Sequence, residues 1–201
     1  MENTYLIAGL GNPGAEHAGT RHNVGFMAVA QFAECLHAAW KTEERFQVRL
    51  ARADVEGRKL LLGQPQTFMN SSGTSIRALA DYFKVPLSRL LVVVDDADLS
   101  LGEIRLRTRG SSGGHHGLES VEEHVGTRSF ARLRIGIGRR TDGVREITDY
   151  VLGEFQREER KLLETVLERV VRQIECWVTD GIQKAMNEFN GAIAAPPAKE
   201  S

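Results

Sequence analysis

Short apolar runs divide the first two thirds of the chain into segments typical of β-strands. Leu90–Val94 is continuously apolar and ends at two aspartates, which is typical of a central strand buried on both faces. Glu103–Thr108 alternates apolar and polar residues, which indicates one exposed face. The pattern predicts strands at Tyr5–Gly9, Phe46–Asp54, Lys59–Gln64, Leu90–Val94, Glu103–Thr108 and Arg132–Gly136. Glu56-Gly57 is expected to form a hairpin turn between the second and third of these.

Between the strands, apolar residues recur at three- and four-residue steps, which predicts amphipathic helices. The predicted helices cover Val24–Ala38, Ser71–Phe83, Gly114–His124, a long segment around Leu162–Ile174, and Asp180–Phe189. Because strands and helices alternate along the chain, we expect an α/β fold. The expected architecture is a single-domain three-layer sandwich, with a mixed, largely parallel sheet and helices on both faces. Ligands of such sheets bind at the carboxyl ends of strands.

The length of 201 residues suits one domain, which we expect to cover residues 1–190. Residues 191–201 are mostly small and include Pro-Pro, so they are expected to form a flexible tail. The first apolar run ends at Gly9, too short for a secretory signal or a membrane span, which favours a cytoplasmic protein without membrane contact. Cys35 and Cys176 lie far apart in apolar helical contexts and are expected to be buried, reduced thiols.

Charge argues against binding of nucleic acid through a chain-wide field, since 26 basic and 27 acidic residues leave a net charge of −1. Residues 101–145, however, contain nine arginines, no lysine and five acidic residues. Those arginines are Arg105, Arg107, Arg109, Arg128, Arg132, Arg134, Arg139, Arg140 and Arg145. Guanidinium groups bind phosphate bidentately, and we expect Arg107 and Arg134, on separate strands beside a glycine-rich loop, to do so. Solvated charges at strand edges are the alternative.

The segment Gly9–Gly14 matches G-x-G-x-x-G directly after a strand, so a dinucleotide site is the first hypothesis. Two features oppose it. Pro13 removes a backbone donor where the pyrophosphate should bind, and the acidic residue about 20 positions on, Glu34, lies inside a predicted helix. What remains is a tight turn that places Asn12 at the end of the first strand.

His22 is the candidate general base, because a histidine with a free ring nitrogen is suited to take a proton at neutral pH. A lone histidine is more often structural, but His22 and Asn12 flank one loop. The second ring nitrogen of such a base needs an acceptor, which Asp95 can supply from the end of the most buried predicted strand. Asp95, Asp96 and Asp98 would also suit Mg²⁺ or Ca²⁺, although neither a P-loop nor an EF-hand loop accompanies them. A helix cap or loop brace is the other alternative for Asp96 and Asp98.

Several motifs occur in a fixed order along nearly the whole chain. They are GLGNPGxxxxxTRHNVG, QPxTFMNxSG, VVVDDxDLxxGxIRLRxxGSxGGHxGLxS, RLRIGIGR and ITDYVLGEF. In these motifs the chain resembles the bacterial-type peptidyl-tRNA hydrolases. The resemblance implies a single-domain α/β sandwich, usually monomeric and cytosolic, that hydrolyses the ester joining a peptide to the 3′ ribose of tRNA. It implies peptidyl-tRNA as the partner and no metal or other cofactor.

The resemblance also implies three catalytic residues. His22 matches the general base, Asp95 matches the carboxylate that orients it, and Asn12 matches the asparagine that contacts substrate at the scissile ester. Such an ester needs neither a metal nor a covalent nucleophile if a histidine deprotonates water and amide groups stabilise the oxyanion. Asn12, Asn70 and the amides near Gly113-Gly114 are the candidate donors.

The remaining matched residues are expected to bind substrate. Asn70, with Phe68 and Met69, matches the contacts with the peptide and the 3′-terminal adenosine. Arg107 and Arg134 match the basic pair that binds the tRNA 5′-phosphate.

Two substrate-side positions depart from the family pattern, which usually has tyrosine at His17 and asparagine at His116. His116 would add a titratable group if it lies near His22, or it would point to solvent without effect. These departures favour the alternative function, an RNA-binding module without hydrolysis. The residues that retain the family pattern oppose it more strongly, namely His22, Asp95, Asn12 and Asn70.

Overall fold

Eight strands form one mixed sheet in the order β2-β3-β4-β1-β5-β7-β6-β8 in this computed structural model, which describes residues 3–138 and 147–193. The strands are β1 (Thr4–Gly9), β2 (Trp40–Glu43), β3 (Val48–Val55), β4 (Arg58–Pro65), β5 (Leu90–Asp96), β6 (Glu103–Arg107), β7 (Ala131–Gly136) and β8 (Gly191–Ala192). The central strands β4, β1, β5 and β7 run parallel, so their carboxyl ends meet at one edge.

Helices cover both faces of the sheet, as predicted. They are α1 (Val24–Cys35), α2 (Ser72–Tyr82), α3 (His116–Val125), α4 (Ile147–Val151), α5 (Arg157–Thr179) and α6 (Ile182–Phe189). Alternate residues of β1 enter two separate cores: Ile7 packs with α1, α5 and α6, whereas Leu6 and Ala8 pack with α2 and α3. The three-layer α/β sandwich is therefore confirmed. No helix in the two described ranges has the length and apolar character needed to cross a membrane.

The prediction of a largely parallel sheet is wrong for its two flanks. Hydrogen-bonded neighbours are parallel in three pairs and antiparallel in four. The predicted hairpin at Glu56-Gly57 reverses the chain between β3 and β4, and β6 runs back between β7 and β8. The sequence pattern missed β2 because it is a four-residue edge strand with mostly polar side chains.

The predicted start of the flexible tail, at residue 191, is too early in the sequence. Gly191–Ala192 form β8 on the edge of β6, and the Ile193 amide donates to the carbonyl of Gly102 at 2.8 Å. The Asn190 side chain holds the start of this segment against β6. Its Oδ1 accepts the N–H of Leu106, and its Nδ2 donates to the carbonyl of Leu106. Residues 194–201 lie outside the described part of the chain.

The two cysteines differ in burial. Cys176 is buried, as expected, but Cys35 is exposed. Helix α1 ends at Cys35, three residues before the predicted end, and His37 then adopts a left-handed conformation with φ 51°.

Two glycines bring the start of α1 onto the sheet. A Cβ at Gly9 would collide with the carbonyl of Gly25, and one at Gly25 would collide with the carbonyl of Val93. Since neither residue has a Cβ, the backbone of α1 approaches the carboxyl ends of β1 and β5 closely. This approach places the 3₁₀ turn Arg21–Asn23, which leads into α1, at the same edge of the sheet as Asp95.

Candidate active site

A cleft of about 520 Å³ opens at the carboxyl ends of the central strands. It contains most of the predicted site residues, namely Asn12, His22, Phe68, Met69, Asn70, Asp95, His116 and Arg134. Helix α4 contributes Ile147, Thr148 and Val151 to the opposite wall. His17 and Arg107 do not line this cleft.

His22 and Asp95 form the predicted pair. The 3₁₀ turn Arg21–Asn23 carries His22, whose Nδ1 lies 2.9 Å from Oδ1 of Asp95 at the end of β5. Asp95 is only 3% exposed. Burial alone would raise the pKa of Asp95, but the charges of His115 and His22 and the hydrogen bonds from them outweigh it and hold the pKa well below its ordinary range. Asp95 is therefore an ionised acceptor for both rings.

His115 also bonds to Asp95, a role that the sequence analysis did not give it. Its Nε2 lies 2.9 Å from the same Oδ1, and its Nδ1 accepts the amide N–H of Leu118 at 3.3 Å as the N-cap of α3. A neutral imidazole with its proton on Nε2 makes both bonds. The signal for this role in the sequence was the pair of adjacent histidines, His115 and His116, at the start of a predicted helix.

Asn12 is held rigidly beside the pair. Its backbone N–H donates to Oδ1 of Asn23 at 2.8 Å, and its carbonyl accepts from Nδ2 of Asn23 at 2.9 Å. The side-chain Oδ1 of Asn12 accepts the amide N–H of Met69 at 2.8 Å. Within the described residues Nδ2 of Asn12 has no acceptor, so this donor is free for a ligand.

The mouth of the cleft is apolar. Phe68 is 67% exposed, and Ile147 and Leu152 are 44% and 42% exposed. All three line the cleft, as does the exposed Asn70. Exposed apolar side chains grouped at a cleft are typical of a ligand-binding surface.

Arg134 does not have the free side chain expected of a phosphate ligand. Its guanidinium bonds to Oδ2 of Asp96 at 3.1 Å and to the carbonyls of Ser111 and Ser112 at 2.8 and 2.9 Å. The other oxygen of Asp96 accepts the N–H of Asp98 at 2.9 Å. Through Arg134, Asp96 therefore braces the loop that contains Ser111 and Ser112, in agreement with the loop-brace alternative for this residue.

The register of β6 and β7 places four arginines on one face of the sheet. Arg134 lies opposite Arg105, and Arg107 lies opposite Arg132. Arg132 is buried, which lowers the pKa of its guanidinium, and it bonds to Glu122. Arg107 is exposed. Arg139, Arg140 and Arg145 lie outside the described residues.

The two departures from the family pattern lie away from His22. The side chain of His17 is 26% exposed, and the nearest carboxylate is that of Glu16, at 3.8 Å. The side chain of His116 is 76% exposed at the outer rim of the cleft, with Nδ1 3.0 Å from Glu119. The hydrogen bond from His116 lowers the pKa of the Glu119 carboxyl. Of the two alternatives for His116, the solvent-facing one agrees with this placement.

Arg21 connects the His22 turn to the opposite wall. It is 5% exposed, and it donates to the carbonyl of Glu154 and to Oε2 of Glu159 at 2.8 Å. Its guanidinium lies 4.5 Å from the ring centroid of Tyr150, which belongs to α4. Glu159 is also the capping residue of α5, so one carboxylate holds both segments.

The nitrogen and oxygen atoms of His22, Asp95 and His115 lie within 4.8 Å of one another and are donors of the kind that bind zinc. In the present geometry both rings bond directly to the carboxylate. His22, Asp95 and His115 therefore form a hydrogen-bonded triad.

An oriented histidine at the carboxyl ends of parallel strands, beside a free amide donor, defines an α/β enzyme of the hydrolase class. The chain belongs to the peptidyl-tRNA hydrolase family, whose family model, described as peptidyl-tRNA hydrolase, matches residues 6–198.

Named relatives agree. The peptidyl-tRNA hydrolase of Gloeobacter violaceus is 45% identical over 193 residues, which cover 96% of this chain and 97% of that protein. The one from Carboxydothermus hydrogenoformans is 46% identical over 186 residues, or 92% of this chain and 98% of that protein. The crystal structure of peptidyl-tRNA hydrolase from Acinetobacter baumannii superimposes with a TM-score of 0.90 at 35% identity, covering 97% of this chain and 98% of that one. The alternative of a non-catalytic RNA-binding module has no support among them.

Proposed function

We propose that this chain hydrolyses the ester between a peptide and the 3′ ribose of a tRNA, with His22 as the general base. The observation that carries the proposal is the 2.9 Å bond between His22 Nδ1 and the buried Asp95 at the cleft. Asp95 accepts a hydrogen bond from Nδ1–H of His22, which leaves Nε2 to take a proton from water. The water then attacks the ester carbonyl, and the protonated ring can return the proton to the leaving ribose oxygen.

Fixed amide donors supply the stabilisation of the tetrahedral intermediate. Nδ2 of Asn12 is directed by the bond that Oδ1 makes to Met69, so it is in place before the substrate binds. Asn70 and Gly113 line the same cleft, whereas the amide of Gly114 in that loop donates to Oγ of Ser112 at 3.3 Å. The mechanism needs no metal, because the base and the oxyanion donors are side chains and amides.

The 3′ end of the tRNA is assigned to the apolar mouth. An unstacked adenine can lie on the exposed ring of Phe68, as single-stranded bases do on aromatic side chains. Arg107, which is exposed, is assigned to the 5′-phosphate. Arg134 can join it only by giving up a loop carbonyl, and otherwise holds the glycine-rich loop beside the ester. We assign the protein to the cytoplasm, as a monomer.

Hydrolysis of N-acetyl-aminoacyl-tRNA tests the proposal directly. We expect turnover that persists in EDTA, and we expect His22→Ala to lose about 10²-fold or more of kcat while tRNA binding survives. His37→Asn is the matched control, because His37 is exposed outside the cleft and asparagine tolerates its left-handed backbone. Near-normal turnover by His22→Ala, or inhibition by EDTA, would contradict the mechanism.

A further inference from the structure

A second cavity, of about 400 Å³, lies next to the catalytic cleft. Met27 and Ala30 of α1 form one wall, and Arg49, Gln64 and Gln66 form the other. Asn12 lines both cavities. A ligand group held by Asn12 can therefore extend into either one.

The order of the strands shows how the two cavities follow one another along the carboxyl edge of the sheet. Asp95 lies near the end of β5, Asn12 follows β1 and Gln64 lies near the end of β4, so the three follow one another along the carboxyl edge of the sheet. Arg107 lies on β6, on the opposite side of β5 from β4. An ester positioned at His22 and Asn12 therefore has the second cavity on the side of β4, whereas β6, which carries Arg107 opposite Arg132, lies on the other side.

The walls of the second cavity suit a peptide better than a nucleic acid. Among the described lining residues Arg49 is the one charged side chain, whereas binding of a tRNA backbone requires several. Met27 and Ala30 offer apolar contacts, and the side-chain oxygens of Gln64 and Gln66 can accept peptide N–H groups.

The polar wall is already fixed in position. Gln64 is 5% exposed, and its Nε2 donates to the carbonyl of Phe26 at 2.9 Å. Nε2 of Gln66 donates to the carbonyl of Gln64 at 3.0 Å. The exposed guanidinium of Arg49 lies over the ring of Trp40, at 5.4 Å from its centroid, and its Nη1 lies 3.5 Å from Oε1 of Gln64. A preorganised wall of this kind binds a short extended segment without rearrangement.

We propose that this cavity binds the residues of the nascent peptide that precede the esterified one, and that Arg49 selects acidic side chains among them. The inference rests on the proposed function. It makes the rate of hydrolysis depend on peptide length and charge, since a single blocked amino acid ends at Asn12 and does not reach the second cavity.

The test compares three substrates on one tRNA with the same esterified residue: the N-acetyl-aminoacyl form, and N-acetylated tetrapeptides with three glutamates or three lysines before that residue. We expect the wild-type chain to have a higher kcat/KM for both tetrapeptides than for the short substrate, and about threefold higher for the glutamate than for the lysine peptide. Arg49→Glu should reverse that charge preference and leave the short substrate unchanged. Ala30→Phe, which fills the cavity from α1, should reduce both tetrapeptides to the level of the short substrate.

Arg52→Glu is the matched control, because Arg52 lies on the same strand, outside the cavity, and pairs with Glu43. It should retain the wild-type pattern. Equal effects of Arg49→Glu on all three substrates, or no dependence on length in the wild-type chain, would overturn the inference while hydrolysis of the short substrate upheld the proposed function. Failure of the wild-type chain on the short substrate would overturn the proposed function itself.

Discussion

His22 and His115 bond to the same oxygen atom, Oδ1 of Asp95, each at 2.9 Å, with their ring centroids 5.1 Å apart. One buried carboxylate therefore orients the proposed base and also fixes the residue that caps α3. The Nδ1 lone pair of His115 accepts the Leu118 amide, so one ring joins Asp95 to the start of α3.

We expect His115→Asn and His115→Ala to separate these two roles. Asparagine is a strong N-cap residue and preserves the start of α3, whereas alanine leaves the Leu118 amide without its acceptor. The alanine variant should be less stable to urea than the asparagine variant by about 1 kcal/mol, while both lose part of kcat because Asp95 then orients His22 less well. Equal stabilities would show that the cap contributes nothing, and an unchanged kcat would show that His115 does not act through Asp95.

His116→Asn restores the usual family residue and should leave the acid limb of kcat/KM against pH unchanged. The reason is that His116 is exposed and bonds to Glu119 rather than to Asp95. The measurement is the pH profile of wild type and variant with one substrate. A less steep acid limb in the variant would mean that the charge of His116 reaches His22.

Asp95→Asn should make stability less dependent on acid pH. The pKa of Asp95 is lower in the folded chain than in the unfolded one, so its ionised form stabilises the fold above about pH 4, and this stabilisation is lost as the pH falls further. We expect the variant to be less stable at pH 7 by about 1–3 kcal/mol, because both histidines lose a charged acceptor. The difference should shrink as the pH falls below about 4.

Urea unfolding of both proteins at pH 7, 5 and 3 measures this difference. A gap that stayed constant to pH 3 would contradict a lowered pKa for Asp95. A loss of kcat in Asp95→Asn at pH 7, with tRNA affinity unchanged, would agree with its role in orienting His22.

Arg107→Ala and Arg134→Ala should have different effects. Loss of the exposed Arg107 should weaken binding of all tRNAs to a similar degree and reduce the slope of log affinity against log salt by about 1. Loss of Arg134 should free Asp96 and the carbonyls of Ser111 and Ser112, which lowers kcat and stability more than the salt slope. Identical changes in salt slope for the two variants would show that both bind phosphate.

Arg21→Leu should weaken the connection between the His22 turn and α4. The change leaves the Glu159 carboxylate without its buried partner, and we expect a loss of about 3 kcal/mol in the free energy of unfolding. Arg77→Leu is the control, since Arg77 forms an exposed pair with Asp81 and should lose less than about 1 kcal/mol. Similar losses for both variants would refute the importance of the Arg21 contacts.

The elements with continuous apolar runs were the ones that the sequence predicted well. β1 and β5 are buried on both faces, and the apolar stripe of α5 packs against one face of the sheet, so burial and pattern agree. β2 and β8 were missed because an edge strand of two to four residues has almost no apolar pattern of its own. Their position follows from the strands that they pair with, which a local pattern does not contain.

The residues of the candidate site also differ in how well the sequence predicted their partners. His22 and Asp95 could be paired because each lies at the end of a predicted element and their chemistry is complementary. The bond of His115 to Asp95 and the contacts of Arg134 could not be predicted, because their partners are a carboxylate and loop carbonyls that only the folded chain brings to them. The prediction that Arg134 binds phosphate did not include these acceptors, which lie more than 20 residues away in sequence.

The two walls of the catalytic cleft differ in how they are built. Asp95 lies near the end of β5, whose neighbours on both sides are parallel strands, whereas α4 is a five-residue helix with no buried residue. Amide protons of β1 and β5 should therefore exchange with deuterium only when the whole domain unfolds, and those of α4 should exchange through small local openings. Residues of α4 can then separate from the cleft during product release while the hydrogen bond between His22 and Asp95 stays formed.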